Sequence, residues 1–262
     1  MADSDIAAEY RETLDQASAS LGCCDTSGVN MIVQRKGNER GYAQHDWLES
    51  WHSFSFADYR DPAHVHFGPL RVINEDIVQP GTGFGTHGHR DMEILTYVLS
   101  GTLRHRDSTG SSGDIRYGEV QVMSAGTGVQ HSEVNPSPDE AVHLLQIWII
   151  PDRQNLTPGY QQKEFPLAEK QGRWCLLASP DAGKGSLLIH QDARVFSARL
   201  DGAEKLDYTI AAGRKIYLHV ARGSLKANGY ALSAGDALMY TDEAAVELSG
   251  AREAEVLLFD MG

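Results

Sequence analysis

Three histidines and two glutamates, gathered in two short stretches, carry the chemistry this chain can offer. The first stretch reads Gly81-Thr-Gly-Phe-Gly-Thr-His87-Gly-His89-Arg-Asp-Met-Glu93, and the second Gly126-Thr-Gly-Val-Gln-His131-Ser-Glu133. Residues two apart on an extended strand point to the same face, so each pair can aim two ligand atoms at one point. Two such strands brought together offer three imidazoles and a carboxylate, a set that suits iron, nickel, copper or another divalent transition metal. A lone strand histidine is usually a surface or hydrogen-bonded residue. Here the glycine-rich approach, the His87/His89 pair and the His131/Glu133 pair occur together, and the joint reading is a single metal ion. His52, His64, His66, His105, His143 and His190 lack a paired ligand at strand spacing and are read as structural. Of these, His105 follows Gly101 on a strand that could pass the site.

Two carboxylates compete for the fourth position. Glu93 follows the first histidine pair, whereas Glu133 is two residues from His131 and shares its face. Binding by both would leave little room for chemistry. Three histidines and one glutamate leave two positions open on a six-coordinate ion. Parity favours Glu133, and Glu93 is then expected to hydrogen-bond a ligand histidine and fix its tautomer.

The elements that must position these residues are short β-strands. Trp51–Phe56, Leu70–Asn74, Ile94–Leu99, Glu119–Met123 and Leu144–Ile150 read as strands separated by Gly, Asn, Asp and Pro, the pattern of a sandwich or barrel. Pro151 to Pro166 is polar and proline-bounded and reads as a connector. The predicted organisation is an N-terminal extension at 1–30, a metal-binding domain at 31–150, a connector at 151–166 and a second β domain at 167–262. The second domain echoes the first, since Gly101 and Gly118 match Gly223 and Gly235 as strand-to-turn glycines. The same spacing that leads to His87, His89, Glu93 and His131 leads in the repeat to Thr209, Ala211, Lys215 and Leu248. The second domain therefore keeps the scaffold and lacks the site, which argues that the histidines serve function rather than framework.

Bulk properties narrow the field. The 262 residues suffice for one large or two smaller β domains, and 41% hydrophobic with 23% charged residues is ordinary for a soluble globular protein. A net charge of −13 with no basic run argues against a nucleic-acid surface. There is no apolar stretch long enough for a membrane span and no signal-peptide layout at the start. Cys23, Cys24 and Cys175 are too few for a disulfide framework, and a reducing cytoplasm is the expected compartment.

These motifs carry a family resemblance. The Gly81, His87, His89, Glu93 spacing resembles the first cupin motif. Gly118, Gly126, His131 and Asn135 resemble the second, with Ser124 in place of the usual proline and a longer gap before the histidine. Trp51-His-Ser-Phe-Ser-Phe56, Arg71-Val-Ile-Asn-Glu-Asp76, the stretch from Gly85 to Val98 and the stretch from Ser124 to Glu133 resemble the pirin family, nearest to its bacterial quercetinase-like branch. The likeness is dense over 47–150 and looser in the second domain. It implies an all-β bicupin of two facing β-barrels of jelly-roll type, with metal only in the N-terminal one. It also implies ligation by His87, His89, His131 and Glu133, with one divalent transition metal, Fe2+ being expected. The implied activity is flavonol 2,3-dioxygenation, which cleaves quercetin with dioxygen and releases carbon monoxide; the expected general base is Glu133, or Glu93 if it is free. Phe84 is a candidate wall for the flat substrate. The expected partners are then a flavonol and dioxygen, on a monomer that binds neither nucleic acid nor membrane. A rival of another class is a pirin-like regulator that senses the redox state of its metal and binds a protein partner.

Overall fold

Apolar runs broken by glycine and proline fold here into β-strands, which hold 60% of the described residues against 4% in helix. The computed structural model describes residues 31–262. The extension expected at 1–30 lies outside the described residues. No helix among them is long and apolar enough to cross a membrane. Two compact units form, the first from Gly41–Glu164 with Ile189–Gln191, the second from 31–40, Phe165–Leu188 and Asp192–Gly262.

The first unit is built from two antiparallel sheets. One is seven-stranded, in the order Gly159–Glu164, Glu119–Ser124, Glu93–Ser100, Val142–Ile149, Leu70–Val78, Leu48–His52, Gly41–Gln44. The other is four-stranded, in the order Gly83–His89, Val129–Val134, Thr102–Asp107, Ser112–Arg116. Strands of both sheets contribute to one apolar core, with Val72, Ile94, Val98, Met123, Leu144 and Trp148 from the larger and Phe84, Leu103, Ile115 and Val129 from the smaller. On the same inward face as Ile94 and Val98 sits Thr96, and between Leu144 and Trp148 sits Gln146, both buried. The core of this unit thus has a polar patch, and Thr96 and Gln146 both hydrogen-bond Glu133 there.

The second unit is a nine-stranded sheet system around Lys215–Ala227 and Ala245–Met261, with its own core of Ile216, Leu218, Val220, Leu238, Val256 and Leu258 among others. The matched glycines of the repeat share a backbone state. Gly101 and Gly223 have φ of +76° and +66°, and Gly118 and Gly235 have +94° and +87°, a region that L side chains rarely adopt.

Three segments depart from the sequence reading. Met31–Arg35 was assigned to the first domain but pairs with Ala237–Thr241 in the second unit, because its backbone extends that sheet by one edge strand. The connector contains a strand, Gly159–Glu164, that pairs with Glu119–Ser124 along its whole length. Its polar run Gln161-Gln162-Lys163 suits a solvent-facing edge, which is why it reads as a linker. Trp51–Phe56 is a strand only as far as His52. Beyond it the chain loops inward, held by the buried Arg71 guanidinium, which donates to the carbonyls of Ser55 at 2.7 Å and Val65 at 3.1 Å.

Candidate metal centre

The two ligand strands are direct neighbours in the small sheet, with His131 opposite His87 and Val129 opposite His89. All three imidazoles are buried, and their ring centroids lie 4.4 to 4.8 Å apart. The register slips between His131 and Glu133, so that Glu133 faces Phe84 rather than Gly85. One extra residue on the His87 strand lets Phe84, His87 and His89 all turn inward, which strict alternation would forbid. Gly83 makes the approach of the two strands possible, since a Cβ there would lie 2.3 Å from the carbonyl oxygen of Glu133.

Hydrogen bonds fix which ring nitrogens carry protons. His87 Nδ1 lies 2.8 Å from the carbonyl of Gly85 and must donate to it, so Nε2 is left with a lone pair. His105 Nε2 donates to the Asp107 carboxylate at 3.0 Å, and its Nδ1 faces Nδ1 of His131 at 3.4 Å. In the tautomer that places the His105 proton on Nε2, Nδ1 accepts and His131 Nδ1 donates. His131 Nε2 then carries a lone pair 3.0 Å from that of His87 Nε2. Two nitrogen lone pairs at that separation repel unless a cation lies between them. Burial lowers the pKa of His87, and burial with imidazole neighbours lowers those of His89 and His131 well below the ordinary histidine value. The rings are thereby held in the neutral form that ligates metal. His89 packs edge-on against Trp148 at 5.0 Å.

Glu133 is buried in the polar patch. Its Oε1 accepts from Gln121 Nε2 at 3.2 Å and Thr96 Oγ1 at 3.3 Å, and its Oε2 accepts from Gln146 Nε2. Burial raises its pKa, partly offset by His105, Gln121, Thr96 and Gln146. Two overlapping triads result, His87 with His89 and His131, and His105 with His131 and Glu133, each with ligand atoms within 4.8 Å of one another. The His/His/His/Glu cluster fits a single metal site, and its neutral nitrogens with one carboxylate suit a first-row divalent ion. Both triads lie in the first unit, and the described residues of the second hold no such group.

Glu93 has a different place from the one expected. It accepts from Ser124 Oγ at 2.9 Å and from the backbone N–H of His190 at 3.3 Å, with His190 Nδ1 at 3.4 Å, and it touches no ligand histidine. Parity explains this, because Glu93 is three residues from the inward-facing Thr96 and so lies on the opposite face of its strand. His190, read as structural, is its partner. His105, also read as structural, stands against the site itself, fully buried and stacked on Tyr160 at 4.7 Å. The sequence signal for it was its Asp107 partner two residues on, the same spacing as the ligand pairs. A cavity of about 470 Å³, lined by residues that include Thr86, His87, His89, Arg90, Ser108 and Gln130, opens onto the histidines.

Residues 33–149 match the pirin family model, and residues 176–261 match a model described as quercetinase C-terminal cupin domain. This chain belongs to the pirin family. It is 49% identical to a quercetin 2,3-dioxygenase of Escherichia coli K12 over 88% of this chain and 99% of that protein. It is 40% identical to a pirin-like protein of Caulobacter vibrioides over 88% of this chain and 99% of that one. Among solved structures, the bacterial pirin YhhW of Escherichia coli, in complex with nickel(II), matches with a TM-score of 0.84 at 48% identity, over 88% of this chain and 99% of that one. A quercetin 2,3-dioxygenase from Acinetobacter baumannii shares the fold, with a TM-score of 0.73 at 21% identity over 89% of this chain and 87% of that one. The expected all-β fold of two cupin domains is the observed one.

Proposed function

We propose that this pirin-family chain is a metal-dependent flavonol 2,3-dioxygenase, with His87, His89, His131 and Glu133 as ligands of one divalent ion. The observation that carries this reading is the pair of Nε2 atoms of His87 and His131, 3.0 Å apart with lone pairs facing. The 49% identity to a protein named quercetin 2,3-dioxygenase supplies the substrate class. A relative's structure contains nickel(II), and iron is the ion expected here among several that such ligands accept.

The bound ion would supply Lewis acidity, which favours the anionic form of a flavonol 3-hydroxyl. The rest falls to the chain. Glu133, whose pKa burial raises, is the base that receives the hydroxyl proton. Gln121, Thr96 and Gln146 hold its carboxylate in place while it does so. His105 and Asp107 keep His131 in the tautomer that presents Nε2 to the ion. The cavity at the histidines gives the flat substrate access. In the overall reaction the flavonol and dioxygen give a ring-opened ester and carbon monoxide.

The test is direct. The purified chain is loaded separately with nickel, iron, copper or manganese and mixed with quercetin in air. Oxygen-dependent bleaching with release of carbon monoxide, abolished in His87→Ala, is the expected result. Absence of turnover with every metal would overturn the enzyme reading and leave the pirin-like regulator.

A further inference from the structure

A second cavity, of about 300 Å³, lies in the first unit and is lined by none of the four proposed ligands. Its walls include the rings of Phe56, Tyr59 and Phe84, and its polar end is formed by Ser50, His52 and Asp76. The polar end is an ordered chain of hydrogen bonds. Ser50 Oγ donates to Asp76 Oδ1, and His52 Nε2, 2.9 Å from Ser50 Oγ, donates to that hydroxyl in turn. Asp76 is 1% exposed, yet no donor among the described residues reaches its Oδ2. A buried carboxylate oxygen left without a donor is costly, and here Asp76 lines a space large enough for a small molecule. Two neighbouring strands supply Ser50, His52 and Asp76 through a regular register, with Ser50 opposite Asp76 and His52 opposite Asn74, so the arrangement is rigid before any ligand arrives.

The chemistry of the lining defines the occupant. Aromatic walls favour a flat ring, packed edge or face against Phe56, Tyr59 and Phe84. Asp76 Oδ2 requires a hydrogen-bond donor at one end of that ring. A hydroxyl meets the requirement at low desolvation cost, whereas stripping an ammonium of water in so buried a place is far more expensive. We propose that this cavity is a second binding site, lined by none of the four proposed metal ligands, for a small hydroxylated aromatic molecule whose hydroxyl donates to Asp76. It stands apart from the flavonol reading, since a chain that turns over no flavonol can still bind a phenol here.

Isothermal titration of the full chain with phenol at pH 8, with and without added nickel, tests the site. Phenol is expected to bind with or without the metal. Anisole, which keeps the ring but has lost the donor, is expected to bind at least about tenfold more weakly. Asp76→Ala should weaken phenol by a similar factor, and His87→Ala should leave it within about threefold. Equal affinities of phenol and anisole for the unmodified chain would overturn the role of Asp76 even if Asp76→Ala failed to fold. Loss of phenol binding in His87→Ala would place the ligand at the metal centre and overturn the separate site. Benzylamine binding more tightly than phenol would overturn the assigned ligand class.

Discussion

Around His131 the protein spends two side chains on one proton. Asp107 fixes the proton of His105 on Nε2, and His105 in turn fixes that of His131 on Nδ1, so Nε2 of His131 is free to ligate. Groups that orient a metal ligand from behind typically account for about 10- to 100-fold in metal affinity. Asp107→Asn is therefore expected to weaken nickel binding by about that range, measured by competition with a chromogenic chelator, while thermal stability of the metal-free chain changes little. An unchanged affinity would remove the chain of hydrogen bonds from the mechanism. Asp76 offers a test of another kind, because burial pushes its carboxyl up to about 7. Its pKa is higher folded than unfolded, so the native state holds the proton longer. Its contribution to stability is then fully present below the ordinary aspartate range and is lost as pH rises toward 7. Asp76→Asn, which can keep the bond from Ser50, should raise the melting temperature of the metal-free chain at pH 8 and change it little at pH 4. The opposite trend would show that the ionised carboxylate is the form the fold prefers.

At the scale of elements, the site depends on two strands that come unusually close. A Cβ at Gly83 would meet the carbonyl oxygen of Glu133 at 2.3 Å and the Cα of Val134 at 2.5 Å. Gly83→Ala must push the ladder apart, at a cost of about 1–3 kcal/mol by the usual scale of overpacking. The expected readout is a lower melting temperature together with weaker nickel binding, since the shift moves Glu133 away from the histidines. A stable variant with unchanged metal binding would refute the close-approach role. The histidine spacing and the glycine-rich approach made these strands legible in the sequence. The bulge beside them was not, because an extra residue leaves no mark in a pattern of period two. The same limit misplaced Glu93, which spacing put beside the ligands and parity puts on the opposite face of its strand, against Ser124 and His190. His105 carried a signal in its Asp107 partner two residues on, but that spacing did not show which residue the imidazole would meet. Its role rests on contact with His131, which belongs to another strand.

At the scale of the whole chain, two β units share strand-to-turn glycines with φ of +66° to +94°, and only the first carries a candidate metal cluster among the described residues. The repeat was readable because glycine is the residue that this backbone state selects. The unit boundaries were less so. Met31–Arg35 joins the second unit, and the polar strand Gly159–Glu164 joins the first, each as an added strand whose partner lies far off in sequence. The second unit has a buried histidine of its own, His219, which belongs to neither triad. His219→Ala is accordingly expected to leave the metal stoichiometry unchanged, as read by elemental analysis of the nickel-loaded chain. The most direct test of the whole picture is calorimetric titration of the metal-free chain with nickel(II). One ion per chain, with affinity lowered at least about a hundredfold in His131→Ala, is the expected result. No saturable binding, or the same affinity without His131, would contradict the claim that these side chains meet on one metal ion.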